Sequence, residues 1–293
     1  MKTYLDCVPC FLRQALGAAR LLGVDDSAQE QVLRRVLAAA STMDMSRPPP
    51  EMGREIHRVL RETSGCPDPY AELKARYNAL ALGLLEDLRA VVREAPHPLE
   101  AAVRLAIAGN IIDFGAPLGV DDAKVRQTVE SCLQAPLRGG GLPALERALD
   151  REGPLLYLAD NAGEIVFDRL LLERLPAERL TVVVRSGPVI NDATVEDARV
   201  AGLTGWLRVR DSGQDAPGTV LEACSDDFLE EFWGASVVIA KGQGNFETLD
   251  QAGREIFFLF MAKCAVAAEH AECEIGDLVL LQGGGAPAPG GAS

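Results

Sequence analysis

The spacing of apolar residues changes character once along the chain. From residue 11 to about residue 133, apolar residues recur every three or four positions, which predicts amphipathic helices. The first such stripe consists of Phe11, Leu12, Ala15, Leu16 and Ala19. Prolines interrupt the pattern and separate the successive helices, and no clear strand pattern occurs in this half. The spacing therefore predicts an all-helical domain, to which we assign residues 1–138.

After Gly139-Gly140-Gly141, short apolar runs alternate with helical stretches. The runs are centred near Leu155, Val182, Leu207, Val238, Phe258 and Val279. Such alternation is typical of an α/β domain with a mostly parallel sheet and right-handed crossovers. We therefore predict the α/β fold class, with this domain at residues 139–282. A flexible tail rich in Gly, Pro and Ala is expected at 283–293.

Three of the predicted strands run directly into polar segments. These segments are Asp160-Asn161-Ala162-Gly163-Glu164, Arg185 to Asp192, and Lys241-Gly242-Gln243-Gly244-Asn245. In an open parallel sheet, ligands bind beyond the carboxyl ends of the strands. The three segments can therefore share one site.

Oxygen donors dominate the first two segments. Asp160, Asn161 and Asp192 offer two carboxylates and an amide, which suit Mg²⁺ or Mn²⁺ better than zinc or copper. Asp160 alone could simply cap the following helix. Asp192 is not needed as a cap, because the Thr194-x-x-Asp197 pattern already offers a capping box. These residues predict a divalent-metal site.

The third segment carries the opposite charge. Lys241 and the backbone amides at Gly242 suit the oxygens of a phosphate group, although a lysine in this position is often only a solvated surface residue. Glu164 can orient a water or bind a substrate hydroxyl, and its alternative role is a helix-dipole partner. We also expect Arg185 to contact an anion and Asn191 to contact the substrate.

One more polar pair lies in the predicted helical domain. Asn110 and Asp113 fall one turn apart on an otherwise apolar helix, so they share a face. They either contact the substrate or cap the end of their helix. We expect substrate discrimination to depend on such residues, because metal and phosphate contacts are common to all phosphomonoesters.

Composition excludes several classes of function. The 293 residues carry a formal net charge of −14, which argues against nucleic acid or anionic membrane as a partner. The amino terminus lacks the apolar run of a signal peptide, and the apolar stretch 256–262 is too short to span a bilayer. These features predict a cytoplasmic protein.

Seven cysteines are scattered through the chain, which does not suggest a secreted disulfide framework. Cys7 and Cys10 form a CxxC pair just before a predicted helix. The pair suits a structural metal, a redox couple, or two semi-buried thiols without a special role. We expect it to lie outside the catalytic chemistry, since the oxygen-rich site needs no thiol.

Taken together, these motifs resemble the DUF89 family, the metal-dependent damage-control phosphatases. The resemblance covers nearly the whole chain, and the CxxC pair is similar to that of the prokaryotic branch known as subfamily I. It is carried by Asp6-Cys7-x-Pro9-Cys10-Phe11-x-Arg13-Gln14, Gly109-Asn110-Ile111-Ile112-Asp113, Asp160-Asn161-Ala162-Gly163-Glu164, Asn191-Asp192-Ala193-Thr194, Lys241-Gly242-Gln243-Gly244-Asn245-Phe246-Glu247 and Met261-Ala262-Lys263-Cys264.

The resemblance implies a helical amino-terminal domain on a Rossmann-like three-layer α/β/α domain. It also implies hydrolysis of small phosphorylated metabolites, such as sugar phosphates, with a divalent Mn²⁺, Co²⁺, Ni²⁺ or Mg²⁺ as cofactor. In this reading Asp160, Asn161 and Asp192 hold the metal, Lys241 lies at the phosphate, and Glu164 lies in the substrate site.

Two alternatives to a phosphatase stay open at this point. Members of the family have also been described as protein-carboxyl methyltransferases, although the turn after Ala159 lacks the glycines that a nucleotide-binding turn needs. A non-catalytic metal- or metabolite-binding regulator is the other. For a phosphatase, attack by water is favoured over an aspartyl-phosphate, because Ala162 stands where a haloacid-dehalogenase-like enzyme has its second Asp.

Overall fold

The computed structural model describes residues 1–109 and 122–285. Asn110 and Asp113 lie outside these ranges, as does the segment 286–293 of the predicted tail. Among the described residues, no helix combines the length and the apolar character needed to cross a membrane.

The first part of the chain is helical, as the apolar spacing predicts. Prolines stand in the first turn of α3 and α5, where the missing N–H has no helical partner to lose. Gly65 ends α3 in the left-handed conformation, with φ 67°. The helices are α1 (Cys7–Leu21), α2 (Asp26–Thr42), α3 (Pro49–Ser64), α4 (Ala71–Glu94), α5 (Pro98–Ala108) and α6 (Asp122–Gln134).

Strands and helices then alternate. The strands are β1 (Leu137–Arg138), β2 (Leu155–Leu158), β3 (Leu180–Val184), β4 (Arg208–Asp211), β5 (Val237–Lys241), β6 (Ile256–Met261) and β7 (Leu278–Gly283). The helices between them are α7 (Leu142–Leu149), α8 (Glu164–Leu172), α9 (Val195–Val200), α10 (Asp226–Gly234), α11 (Gln243–Leu249) and α12 (Ala265–His270). Single 3₁₀ turns cover Ala177–Arg179, Leu203–Gly205 and Leu221–Ala223.

The seven strands form one sheet in the order β1-β7-β6-β5-β2-β3-β4. Neighbouring strands are parallel except β6 and β7, which are antiparallel. From the central β2, the chain builds outwards through β3 and β4 on one side and through β5 to β7 on the other. β2 therefore marks a topological switch point, where open α/β sheets bind their ligands.

Both faces of the sheet are buried under helices. Leu155 and Tyr157 of β2 belong to one hydrophobic core, which includes α4 and α5. Leu156 and Leu158 belong to the core on the opposite face. The predicted α/β/α layers are thus confirmed. Helices α1 to α3 form a separate core, and the predicted domain boundary at residue 138 stays a prediction.

Candidate active site

Two loops meet beyond the carboxyl ends of β2 and β3. We call residues 159–163 the β2 loop and residues 185–194 the β3 loop. Ala162 N donates a hydrogen bond to Asn191 O at 2.9 Å, and Ala193 N donates to Asp160 O at 2.7 Å. The paired backbones place the two segments side by side, as the strand-end argument predicts.

Asp160 and Asp192 share one buried cation. Arg185 Nε donates to Asp192 Oδ2 at 2.7 Å, and Arg185 Nη2 lies 4.0 Å from Asp160 Oδ1. Both terminal nitrogens of the guanidinium are buried without a hydrogen-bond partner among the described residues. We call Arg185, Asp160 and Asp192 the arginine cluster.

The arginine cluster carries more negative than positive charge. Burial, Glu164 and Asp192 raise the pKa of Asp160 well above its usual range, and Lys263 and Arg185 counter this only in part. Burial also raises the pKa of Asp192, against the attraction of Arg185. Burial is therefore the main cause of both raised pKa values, and the neighbouring cations offset it only in part.

The side chain of Asn161 is oriented by acids on both sides. Its Nδ2 donates to Asp160 Oδ2 at 2.8 Å and to Glu164 Oε2 at 2.8 Å. Since the amide hydrogens point to carboxylates, the carbonyl oxygen is the atom of Asn161 that can bind a cation.

Lys241 is fully buried and bound on all sides. Its Nζ donates to Glu164 Oε1 at 2.7 Å, to Asp168 Oδ1 at 2.6 Å and to Ala106 O at 2.7 Å. Burial alone would lower the pKa of Lys241, but Asp168 and Glu164 outweigh it and raise that pKa. Burial raises the pKa of Asp168 to about 6 despite the neighbouring lysine. We call Lys241, Glu164 and Asp168 the lysine cluster.

The sequence predicted Lys241 at a phosphate and did not predict Asp168. All three ammonium protons of Lys241 already have acceptors, so the role shown by the geometry is to bind two carboxylates. The phosphate contact of Lys241 stays a prediction.

Gly242 permits the position of Asp160. Its backbone has φ 82° and ψ 157°, which only glycine adopts readily. A Cβ at this position would lie 1.9 Å from Asp160 Oδ2. The end of β5 and the end of β2 thus approach closely because residue 242 has no side chain.

A second lysine stands at the end of the next strand. Lys263 follows β6, is exposed, and is bound through its backbone N to Gln243 Oε1 at 2.8 Å. Although burial raises the pKa of Asp160 and Asp192, the charge of Lys263 lowers both. Lys263 belongs to the Met261-Ala262-Lys263-Cys264 motif, and no role for it was predicted from the sequence.

The β3 loop is held in a strained path by helix α3. Ile190 has φ 44°, unusual for a β-branched residue. Its N donates to His57 Nδ1 at 3.4 Å, and Arg61 Nη1 donates to Pro188 O at 2.8 Å. Burial lowers the pKa of His57 to about 4, so its imidazole is neutral near pH 7 and can accept this hydrogen bond.

The other predicted residues include Asn191 and the CxxC pair. Asn191 is buried in the β3 loop. Cys7 is half-buried at the start of α1 and Cys10 is exposed. All seven cysteines lie in the described part of the chain, and each is free. The structural or redox role of the pair stays a prediction, and the roles of Asn110 and Asp113 fall outside the described residues.

Comparison with known proteins identifies the family. The model of the damage-control phosphatase ARMT1-like domain matches residues 3–279. The chain belongs to this family. A damage-control phosphatase of Archaeoglobus fulgidus is 33% identical over 282 residues, which cover 93% of this chain and 96% of the relative. A damage-control phosphatase of Pyrococcus horikoshii is 32% identical, with 96% and 98% covered.

A solved structure supports the same assignment. The crystal structure of a DUF89 family protein from Pyrococcus horikoshii matches with a TM-score of 0.88 at 32% identity, covering 97% of this chain and 99% of that one. An uncharacterised protein of Methanocaldococcus jannaschii is 35% identical over 289 residues. The DUF89 resemblance read from the sequence is confirmed.

The oxygen donors of the β2 and β3 loops suit a divalent cation. The lysine and arginine clusters together hold four carboxylates and two cations, which leaves two negative charges when all are ionised. Within the described ranges, no three acidic, histidine or cysteine side chains converge on one point. Asp160, Asn161 and Asp192 are the residues here that could hold a divalent cation, through two carboxylates and one amide oxygen.

Proposed function

We propose that this damage-control phosphatase family member hydrolyses small phosphorylated metabolites with a divalent cation. The observation that carries the proposal is the hydrogen-bonded pairing of the β2 and β3 loops at the switch point. This pairing brings Asp160, Asn161 and Asp192 together where negative charge is in excess. The names of the relatives in Archaeoglobus and Pyrococcus support the same reaction class.

The three oxygen donors would hold the cation, which would offset the charge of the phosphate oxygens and lower the pKa of a water molecule. Arg185 fixes the Asp192 carboxylate, and the Asn161 amide fixes Asp160. Because both carboxylates are engaged in this way, we favour in-line attack by water over an aspartyl-phosphate. A phosphorylated aspartate trapped by acid quench would contradict that preference.

Lys263 is the better placed of the two lysines for a phosphate. It is exposed and stands at the same end of the sheet as the loops, whereas Lys241 is enclosed by its own acceptors. A lysine next to a cation site meets the charge of a phosphoryl group without a covalent step. The substrate is a small phosphorylated metabolite, and sugar phosphates are the first class to test.

The experiment measures phosphate release from a panel of sugar phosphates with Mn²⁺, Co²⁺, Ni²⁺ or Mg²⁺. We expect activity that chelation abolishes, and near-complete loss in Asp192→Ala, because the change removes both a ligand and its charge. Asn161→Ala should be milder, and Lys263→Ala should raise KM more than it lowers kcat.

Several outcomes would contradict the proposal. Full turnover by chelated Asp192→Ala protein would exclude the cation role. A protein that binds phosphomonoesters and returns them unchanged would be a regulator, and methyl transfer to protein carboxyl groups without phosphate release would indicate the methyltransferase alternative.

A further inference from the structure

One buried amide of helix α4 links the β2 loop to the first turn of helix α9. Asn78 is 2% exposed. Its Oδ1 accepts a hydrogen bond from Gly163 N at 2.6 Å, in the β2 loop. Its Nδ2 donates to Asp197 Oδ1 at 2.9 Å, in the first turn of α9. Neither Asn78 nor its two contacts were predicted from the sequence.

Asp197 is in turn bound to the end of the β3 loop. Its Oδ2 accepts from Thr194 N at 2.9 Å and from Thr194 Oγ1 at 2.8 Å. Lys74, one helical turn before Asn78, lies 2.9 Å from the same carboxylate. Asp197 therefore links helix α4 to the backbone N of Thr194, which lies two residues after Asp192.

The contact with the β2 loop is equally close. Gly163 has φ 76°, and a Cβ at this position would lie 2.9 Å from the Cβ of Tyr77. Helix α4 thus lies directly against the backbone at the end of the loop that carries Asp160. Asn78 fits this position because its side chain can accept from the β2 loop and at the same time donate to Asp197, which binds Thr194 at the end of the β3 loop.

We propose that Asn78 is a positioning residue, which sets the distance between the β2 and β3 loops and hence the geometry in which Asp160 and Asp192 face a cation. This inference rests on the proposed function for its cation, but not for its effect on the loops. Removing a group that is hydrogen-bonded directly to a metal ligand typically lowers metal affinity by tenfold or more, and Asn78 acts on the ligands through the backbones that carry them.

The test exchanges the donor and the acceptor of the hydrogen bond between residues 78 and 197. Asn78→Asp keeps the acceptor for Gly163 N but sets a carboxylate against Asp197. Adding Asp197→Asn restores the bridge in reverse, because the new amide can donate to the new carboxylate. Leu88→Ala is the control, since Leu88 packs in the core from the same helix and touches neither loop bond.

Two readouts are taken. Amide hydrogen exchange of Ala162 and Ala193 in chelated protein reports the pairing of the loops without any cation. Titration calorimetry with Mn²⁺ reports affinity without turnover. We expect faster exchange and about tenfold weaker Mn²⁺ binding in Asn78→Asp, recovery of both in the double variant, and neither change in Leu88→Ala even where its melting temperature falls.

Each outcome decides a different claim. Native exchange rates in Asn78→Asp, no recovery in the double variant, or equal effects of Leu88→Ala would overturn the positioning role. Altered exchange rates with unchanged Mn²⁺ affinity would also overturn the claim that Asn78 sets the geometry of the cation site. If the native protein bound no divalent cation, the proposed function would fail, while the exchange rates would still decide whether Asn78 spaces the loops.

Discussion

The lysine cluster and the arginine cluster each combine two carboxylates with one cation and differ in how completely that cation is hydrogen-bonded. Both clusters are buried at the same end of the sheet. Lys241 makes three hydrogen bonds of 2.6 to 2.7 Å. Arg185 makes one, to Asp192, and its two terminal nitrogens have no hydrogen-bond partner in the described part of the chain.

We expect this difference to separate a structural ion cluster from a binding site. A buried cluster whose donors are all used has nothing left to offer a ligand. A cluster that leaves buried donors unbonded can bind another charged group, whereas raised carboxylate pKa values occur in both clusters and do not distinguish them. The predictions below test that distinction.

The largest effect is expected from Lys241→Met. The change leaves two carboxylates buried without their cation, which typically costs about 3–5 kcal/mol of unfolding free energy. Urea unfolding of chelated protein measures it. Adding Asp168→Asn should recover part of the loss, because one of the uncompensated charges is removed. A Lys241→Met protein of native stability would show that the lysine cluster is not structural.

An intermediate effect is expected from Gly242→Ala. The new methyl group would collide with the Asp160 carboxylate in a backbone conformation that disfavours side chains, at a cost of about 2–3 kcal/mol. Gly253→Ala is the matched control: φ is 79°, nothing lies within 4 Å of the new Cβ, and the expected cost is about 1 kcal/mol. Only Gly242→Ala should weaken Mn²⁺ binding, and equal binding by the two variants would contradict this account.

The smallest effect, and the one with the opposite sign, is expected from Asp160→Asn. Removing one charge from the crowded arginine cluster should stabilise chelated protein by about 1 kcal/mol, while Mn²⁺ binding is lost. Guanidinium unfolding with and without Mn²⁺ measures both parts. If the variant were less stable than the native protein without metal, the arginine cluster would be as fully compensated as the lysine cluster.

The strand ends could be predicted because each shows a local signal, an apolar run followed at once by polar groups. Lys263 shows the same signal at the end of β6 and was given no role, although the rule that selected Lys241 applies to it equally. The role of Asp168 was harder to predict from the sequence. It lies in α8 one turn after Glu164 in a mostly apolar helix, so its burial required knowing that α4 and α5 cover that helix.

Asn78 carries no local signal at all. Its partners Gly163 and Asp197 lie 85 and 119 residues away in the chain, and an asparagine within a long amphipathic helix reads as an ordinary solvent-facing residue. The antiparallel direction of β7 likewise has no local signal in the sequence, since an apolar run predicts a strand but not its direction. What the sequence could not supply were contacts made only when distant segments pack together.

Ile190 gives the β3 loop a property that matters for protein engineering. Its left-handed backbone costs roughly 1–2 kcal/mol for a β-branched residue, and glycine at that position would avoid the cost. Glycine would also let the chain sample many more conformations just before Asn191 and Asp192. At position 190, a screen for thermal stability would therefore favour glycine, and a screen for activity would favour isoleucine.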